Sequence, residues 1–106
     1  MNRFMRLIVM FDLPVVTEKD RKIYTKFRNY LLDDGFIMIQ FSIYSRICKN
    51  QDDALKHLNR ISLHCPEKGN VRVLQITEKQ YESMRIFSGT MDPEEKIDST
   101  PLIVIE

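Results

Sequence analysis

The segment "FMRLIVMFDLP", residues 4–14, decides the fold. Leu7, Val9 and Phe11 fall on one side of an extended chain, and Ile8 and Met10 on the other. A strand over 4–12 covered on both faces is predicted. Pro14, with no amide donor, closes it. Near its end the apolar run carries one carboxylate, Asp12. Burying an unpaired carboxylate costs roughly several kcal/mol unless it is protonated, paired or metal-bound. Asp12 is therefore either an exposed strand end or a residue kept for chemistry.

Working outward, Thr17 is placed as an N-cap, with Asp20 three residues on in a capping-box position. Ile23, Tyr24, Phe27, Tyr30 and Leu31 then follow helical spacing until Gly35. "FIMIQ" (36–40) and "FSIYSRIC" (41–48) read as two strands, although no Asn-Gly or Asp-Gly marks a turn between them. Ala54, Leu55, Leu58 and Ile61 form a second amphipathic helix ending near Cys65-Pro66. "NVRVLQIT" (70–77) is a fourth strand and "SMRIF" (83–87) a short fifth. "PLIVIE" (101–106) has strand composition and follows an acidic linker.

The order βαββαβ predicts an α+β, ferredoxin-like domain over 1–90, with 91–106 an acidic tail ending in a docking strand. Both helices of such a fold lie on one sheet face. The first strand is nonetheless apolar on both sides, so the bare face predicts a symmetric, face-to-face homodimer. The terminal strand would pair with an open sheet edge.

Composition places the chain among soluble globular proteins, with 43% hydrophobic and 29% charged residues in a length that suits one domain. No apolar run is long enough to span a bilayer, and no small-residue cleavage site follows the first one. Cys48 and Cys65 are too few for a disulfide framework, so a reduced, cytoplasmic setting is expected. His57 and His64 complete no zinc quartet with them. The six methionines read as gap-fillers. Tyr24, Tyr30 and Tyr44 read as core or interface residues, with base stacking as the alternative.

Net charge is only +1, but it is unevenly distributed. Residues 1–90 hold fifteen Lys and Arg against ten Asp and Glu, whereas the tail holds one against five. The body is thus +5 and the tail −4. Arg21, Lys22 and Arg28 in the first helix, Arg46 and Lys49 near the end of the third strand, and Arg72 in the fourth are the candidate nucleic-acid contacts. Solvated surface charge is the competing reading. Arginine suits bidentate phosphate contacts, which carry no sequence preference.

"LIVMFDLP" followed by "TEKDRKIYTKFRNYLLDDGFIMIQFSIYSRIC" resembles the small CRISPR-associated family numbered second in its series, "Cas-two". The resemblance covers roughly residues 5–90 and rests on a strand-end aspartate, a basic helix, a glycine-aromatic step and "QFSIY" in order. It implies a ferredoxin-like, cytoplasmic homodimer that binds double-stranded DNA between integrase dimers during spacer acquisition. It further implies a divalent-metal-dependent endonuclease acting on RNA or DNA, with Asp12 as the catalytic, magnesium-binding carboxylate at the dimer interface. The chain departs from the family at Phe11, where many members carry Tyr, and at Met38, where some nuclease-active members carry a basic residue. Both departures bear on catalysis rather than fold. The rival functions are a purely architectural DNA scaffold and a stand-alone toxin-type endoribonuclease.

Overall fold

The computed structural model describes residues 4–89. Seven elements follow in order: β1 (Met5–Asp12), α1 (Glu18–Asp33), β2 (Ile37–Gln40), β3 (Ile43–Cys48), α2 (Gln51–His64), β4 (Asn70–Thr77) and α3 (Glu78–Glu82). The four strands form one sheet in the order β2-β3-β1-β4, every neighbouring pair antiparallel. This is the ferredoxin-like α+β arrangement expected from the sequence. The tail and its strand-like end fall outside the described residues.

Local chemistry accounts for the first crossover. The Thr17 hydroxyl accepts from the Asp20 amide at 3.0 Å, and the Asp20 carboxylate accepts from the Thr17 amide at 3.2 Å. The Thr17 amide holds the Asp20 carboxyl below its ordinary range. At the other end of α1, Gly35 takes φ +87°, and the Gly35 and Phe36 amides donate to the Leu32 and Leu31 carbonyls. That is a Schellman ending, which sends the chain directly into β2. Phe27 and Leu31 from α1, with Ala54 and Ile61 from α2, pack on Leu7, Val9, Phe11 and Tyr44. The helices thus cover one face of the sheet.

The sequence reading needs two corrections. First, 83–87 is not a strand: only Ile86 makes an isolated bridge, and a short helix, α3, precedes it. Thr77 and Gln80 build a second capping box that starts α3, and the Ser83 and Met84 amides are used in closing it. Second, 41 does not begin a strand. Phe41 and Ser42 form the turn between β2 and β3, and Ser42 takes φ +62° where glycine or asparagine is usual. Among the described residues, no helix is long and apolar enough to cross a membrane.

Candidate functional site

The face of the sheet away from α1 and α2 carries Arg6, Ile8, Met10 and Asp12 of β1, alternating with the buried Leu7, Val9 and Phe11. Cross-strand register extends this face. Arg6 pairs with Ile47 and Ile76, Ile8 with Ser45 and Leu74, and Met10 with Ile43 and Arg72. Leu74 remains 49% exposed. The middle of this face is therefore apolar, and each end carries a charged residue of β1.

At one end Arg6 is sealed. Its Nε and Nη2 donate to the two Glu78 carboxylate oxygens at 2.8 and 2.6 Å, and its Nη1 donates to Ser45 Oγ at 3.2 Å. The guanidinium carbon lies 4.0 Å from the Tyr81 ring centroid. Arg6 and Glu78 are each 1% exposed. Helix α3 delivers both Glu78 and Tyr81, so this pair closes that end of the face.

At the other end Asp12 is exposed at the tip of β1, paired in register with Asn70 of β4. Among the described residues, no ion pair or hydrogen bond engages its carboxylate. Gly69 fixes its backbone: φ is +90°, and a Cβ there would stand 2.6 Å from the Asp12 carbonyl oxygen. One residue earlier, the Phe11 amide donates to the Ser42 carbonyl at 3.1 Å and ties the β2–β3 turn to β1. The result is a hollow of about 450 Å³ lined by Met10, Asp12, Phe41, Ser42, Asn70 and Arg72 among others.

As a metal site the hollow is sparse. Among the described residues, no group of three or more His, Cys, Asp or Glu side chains could hold an ion. Magnesium, however, keeps several waters and commonly takes one or two carboxylates plus substrate phosphates. Asp12 beside the Asn70 amide and Arg72 fits an oxygen site that a bound phosphodiester completes. It does not fit a resident all-protein cage.

The basic candidates do not converge. Arg21 Nη1 donates to the Val15 and Val16 carbonyls at 3.3 and 3.0 Å, bracing the loop after Asp12. Arg28 Nε donates to the Tyr44 hydroxyl at 3.0 Å. Arg46 turns inward, with Nη1 on the Asp34 carbonyl at 2.8 Å and Nε on His57 Nε2 at 2.9 Å. Lys22 stands in an exposed pair with Glu18 at 3.7 Å. The Lys49 amide caps α2 by donating to Asp53, while its side chain lies on the exposed surface. Only Arg72 of the six shares the hollow with Asp12.

Arg46 belongs to a buried polar cluster. His57 Nδ1 lies 2.7 Å from Asp34 Oδ2, so this nitrogen donates while Nε2 accepts from Arg46. Arg60 also donates to Asp34, at 2.9 Å. Burial pushes the Asp34 carboxyl up, but hydrogen bonds from His57 and Arg60 outweigh it and hold the group below its ordinary value. The Lys49 amide, joined by Lys56, holds Asp53 down at about 2. Burial pushes the Cys48 thiol up to about 11, which leaves it unreactive. This cluster locks α2 to the α1–β2 corner and faces no hollow on the Asp12 side.

A larger hollow, about 730 Å³, lies between α1 and the 63–68 segment, where Tyr30 and His64 stack with centroids 4.0 Å apart. It mixes Lys19, Lys26 and Lys68 with Asp20, Asp33 and Glu67, and shares no residue with the Asp12 hollow.

Comparison with known proteins places the chain in a family. The sequence model of the family described as CRISPR associated protein Cas2 matches residues 5–84. The chain belongs to the Cas2 family. A protein of Acidovorax ebreus is 53% identical over 85 residues, covering 80% of this chain and 83% of the relative. One of Lacticaseibacillus rhamnosus is 46% identical over 101 residues, covering 93% and 100%. One of Flavobacterium psychrophilum is 49% identical over 87 residues, covering 82% and 76%. All three carry the name CRISPR-associated endoribonuclease Cas2.

Within this Cas2 fold, three features of the site escape a reading of the sequence. Phe41, 82% exposed, sits in the hollow rather than in a strand. Gly69 shapes the Asp12 backbone, for which its place before a strand was the available signal. Glu78 pairs with Arg6 across 72 residues, which no local pattern announces. Of the three tyrosines considered for stacking, Tyr44 is buried against Phe11, the half-buried Tyr24 packs on the same ring, and the half-buried Tyr30 stacks on His64.

Proposed function

We propose that the chain is a CRISPR-associated, divalent-metal-dependent endoribonuclease that works as a face-to-face homodimer, with Asp12 as its metal-binding carboxylate. The observation that carries this reading is the hollow at the end of β1, where an exposed carboxylate stands with Arg72 and Asn70. The name shared by the relatives supports RNA as the substrate. Asp12 would hold magnesium through its carboxylate, with phosphodiester oxygens and water filling the remaining positions. The ion, when bound, supplies Lewis-acid polarisation of a phosphoryl oxygen. Arg72 grips the same phosphate through its guanidinium fork, Asn70 offers a neutral hydrogen-bonding group, and Gly69 keeps the Asp12 backbone in position.

Ile8, Ile43, Ile47, Leu74 and Ile76 on the uncovered face support the dimer, because such a patch is an association surface. Two Asp12 copies brought near one another repel unless a cation neutralises them, which also favours metal binding. The same dimer serves the adaptation role that the family resemblance implies, with an integrase subunit and duplex DNA as partners. Lys22, Lys49 and Arg72 are the basic residues best placed for sequence-independent phosphate contacts in that role, since a surface pair such as Lys22–Glu18 is worth only about 0–1 kcal/mol and is readily exchanged.

The test is cleavage of single-stranded RNA by the purified protein in magnesium, in EDTA, and after magnesium is restored, alongside light scattering. The reading expects cleavage that stops in EDTA and returns with the metal, from a particle of about twice the monomer mass. Metal-independent cleavage, or a monomer, contradicts it.

A further inference from the structure

A single exposed phenylalanine on a protein surface is ordinary and by itself means little. Phe41 is set apart by how it is held and what surrounds it. Its ring is 82% exposed although it occupies a two-residue turn whose Ser42 adopts φ +62°. That turn is tied by the Phe11 amide to the strand position immediately before Asp12. The backbone that carries Phe41 is thus held next to the backbone that carries Asp12, and both residues line one hollow with Arg72 and Asn70. An open aromatic face, a guanidinium for a phosphate and a carboxylate for a metal match a nucleotide's base, its phosphate and the counterion that phosphate carries.

We infer that Phe41 is a stacking platform for one unpaired base, and that it makes the Asp12 hollow select single-stranded over fully paired RNA. The inference rests on the reading of that hollow as a nucleic-acid site. Aromatic stacking is tolerant of base identity, because every base has a π-face. It requires the base to leave its own stack, which a fully paired strand resists. The occupant is a nucleotide rather than apolar protein because, beside the apolar Met10, Phe11 and Ile43, the hollow that Phe41 lines also carries Asp12, Asn70 and Arg72. Arg72 gives the charge complementarity that a phosphate needs.

The chain has no tryptophan, so Phe41→Trp adds a single fluorescent reporter at this site. The probes are decaadenylate, an abasic oligomer with the same backbone, and a blunt RNA duplex, each titrated in magnesium. Binding is followed in parallel by anisotropy of labelled probe for wild type, Phe41→Ala and Phe41→Tyr. The expected result is saturable quenching of the introduced indole by decaadenylate and none by the abasic or duplex probes. Phe41→Ala should bind decaadenylate roughly tenfold more weakly and the abasic oligomer unchanged, while Phe41→Tyr keeps wild-type affinity. Equal affinity of Phe41→Ala and wild type for decaadenylate overturns the inference. So does indole emission that is already blue-shifted in the free protein and moves red on dilution, which would assign Phe41 to contact with a second copy. These readouts measure binding alone. Loss of stacking with metal-dependent cleavage intact refutes only this inference, whereas stacking without metal-dependent cleavage refutes the catalytic reading and leaves the platform.

Discussion

Arg6 and Asp12 lie six residues apart on the same face of the same strand, yet one is sealed and the other open. Arg6 gains two carboxylate oxygens, a hydroxyl and an aromatic face, all within a closed end roofed by α3. Asp12 gains a shaped backbone, an exposed ring and a neighbouring arginine, but no partner for its charge among the described residues. A charge that a fold needs is surrounded by its partners. On the proposed function, a charge kept for a ligand is positioned through its backbone and left accessible. Burial and pairing, more than residue type, separate the two roles.

The sealed end should give the largest effect on stability. Glu78→Ala leaves a buried guanidinium with its carboxylate removed, and should cost about 3–5 kcal/mol in urea denaturation. The paired substitution Arg6→Met with Glu78→Ala should recover much of that loss, since two apolar groups leave no buried charge behind. If Glu78→Ala unfolds at the wild-type midpoint, the two ends do not differ in the way described.

Gly69→Ala should come next, because it combines a φ of +90° with a Cβ 2.6 Å from the Asp12 carbonyl. A loss of about 1–3 kcal/mol is expected, together with reduced cleavage, because the strain falls on the backbone that carries Asp12. Wild-type stability and cleavage rate in this variant would show that Gly69 does not position the site.

Part of the acid limb of stability should come from Asp53 at the start of α2 and Asp34 at the α1–β2 corner, with Asp20 of the α1 cap beside them. Asp53 is held at about 2 against an ordinary value of 3.8, and Asp34 is also depressed. Groups with lowered folded values add stability that is fully present above the ordinary carboxylate value and is lost as pH falls through the folded value. Denaturation midpoints should therefore hold from neutrality down to roughly pH 5 and fall between roughly pH 4 and 2. Asp53→Asn should flatten that fall. An acid limb identical to that of wild type would remove Asp53 from the account.

The strand pattern of β1, the Thr17 cap, the glycine that ends α1 and the βαββαβ order were all readable because each rests on residues within a few positions of one another. Asp12 was readable as a polar intruder in an apolar run. What escaped depends on distance or on unusual turn chemistry. The Arg6–Glu78 pair joins opposite parts of the chain, and Arg46 turns inward because Asp34 and His57 are brought to it by two other elements. The Phe41–Ser42 turn carries neither of the usual glycine or asparagine signals, so a serine in the left-handed region hid the start of β3. Helix α3 was missed although Thr77 and Gln80 spelled its capping box, because strand composition continued up to Thr77.

The smallest expected change in stability belongs to Asp12→Ala, which should unfold within about 0.5 kcal/mol of wild type because it removes only an exposed side chain. The same variant tests the central claim most directly through the rate of magnesium-dependent cleavage of single-stranded RNA, measured on highly purified wild type and mutant in parallel. With the fold intact, that rate should fall roughly 100-fold or more, since the proposed function makes the carboxylate the protein's charged ligand for the metal. Cleavage by Asp12→Ala at the wild-type rate would contradict the assignment, and absence of cleavage from both proteins would contradict the enzyme reading and leave an architectural dimer.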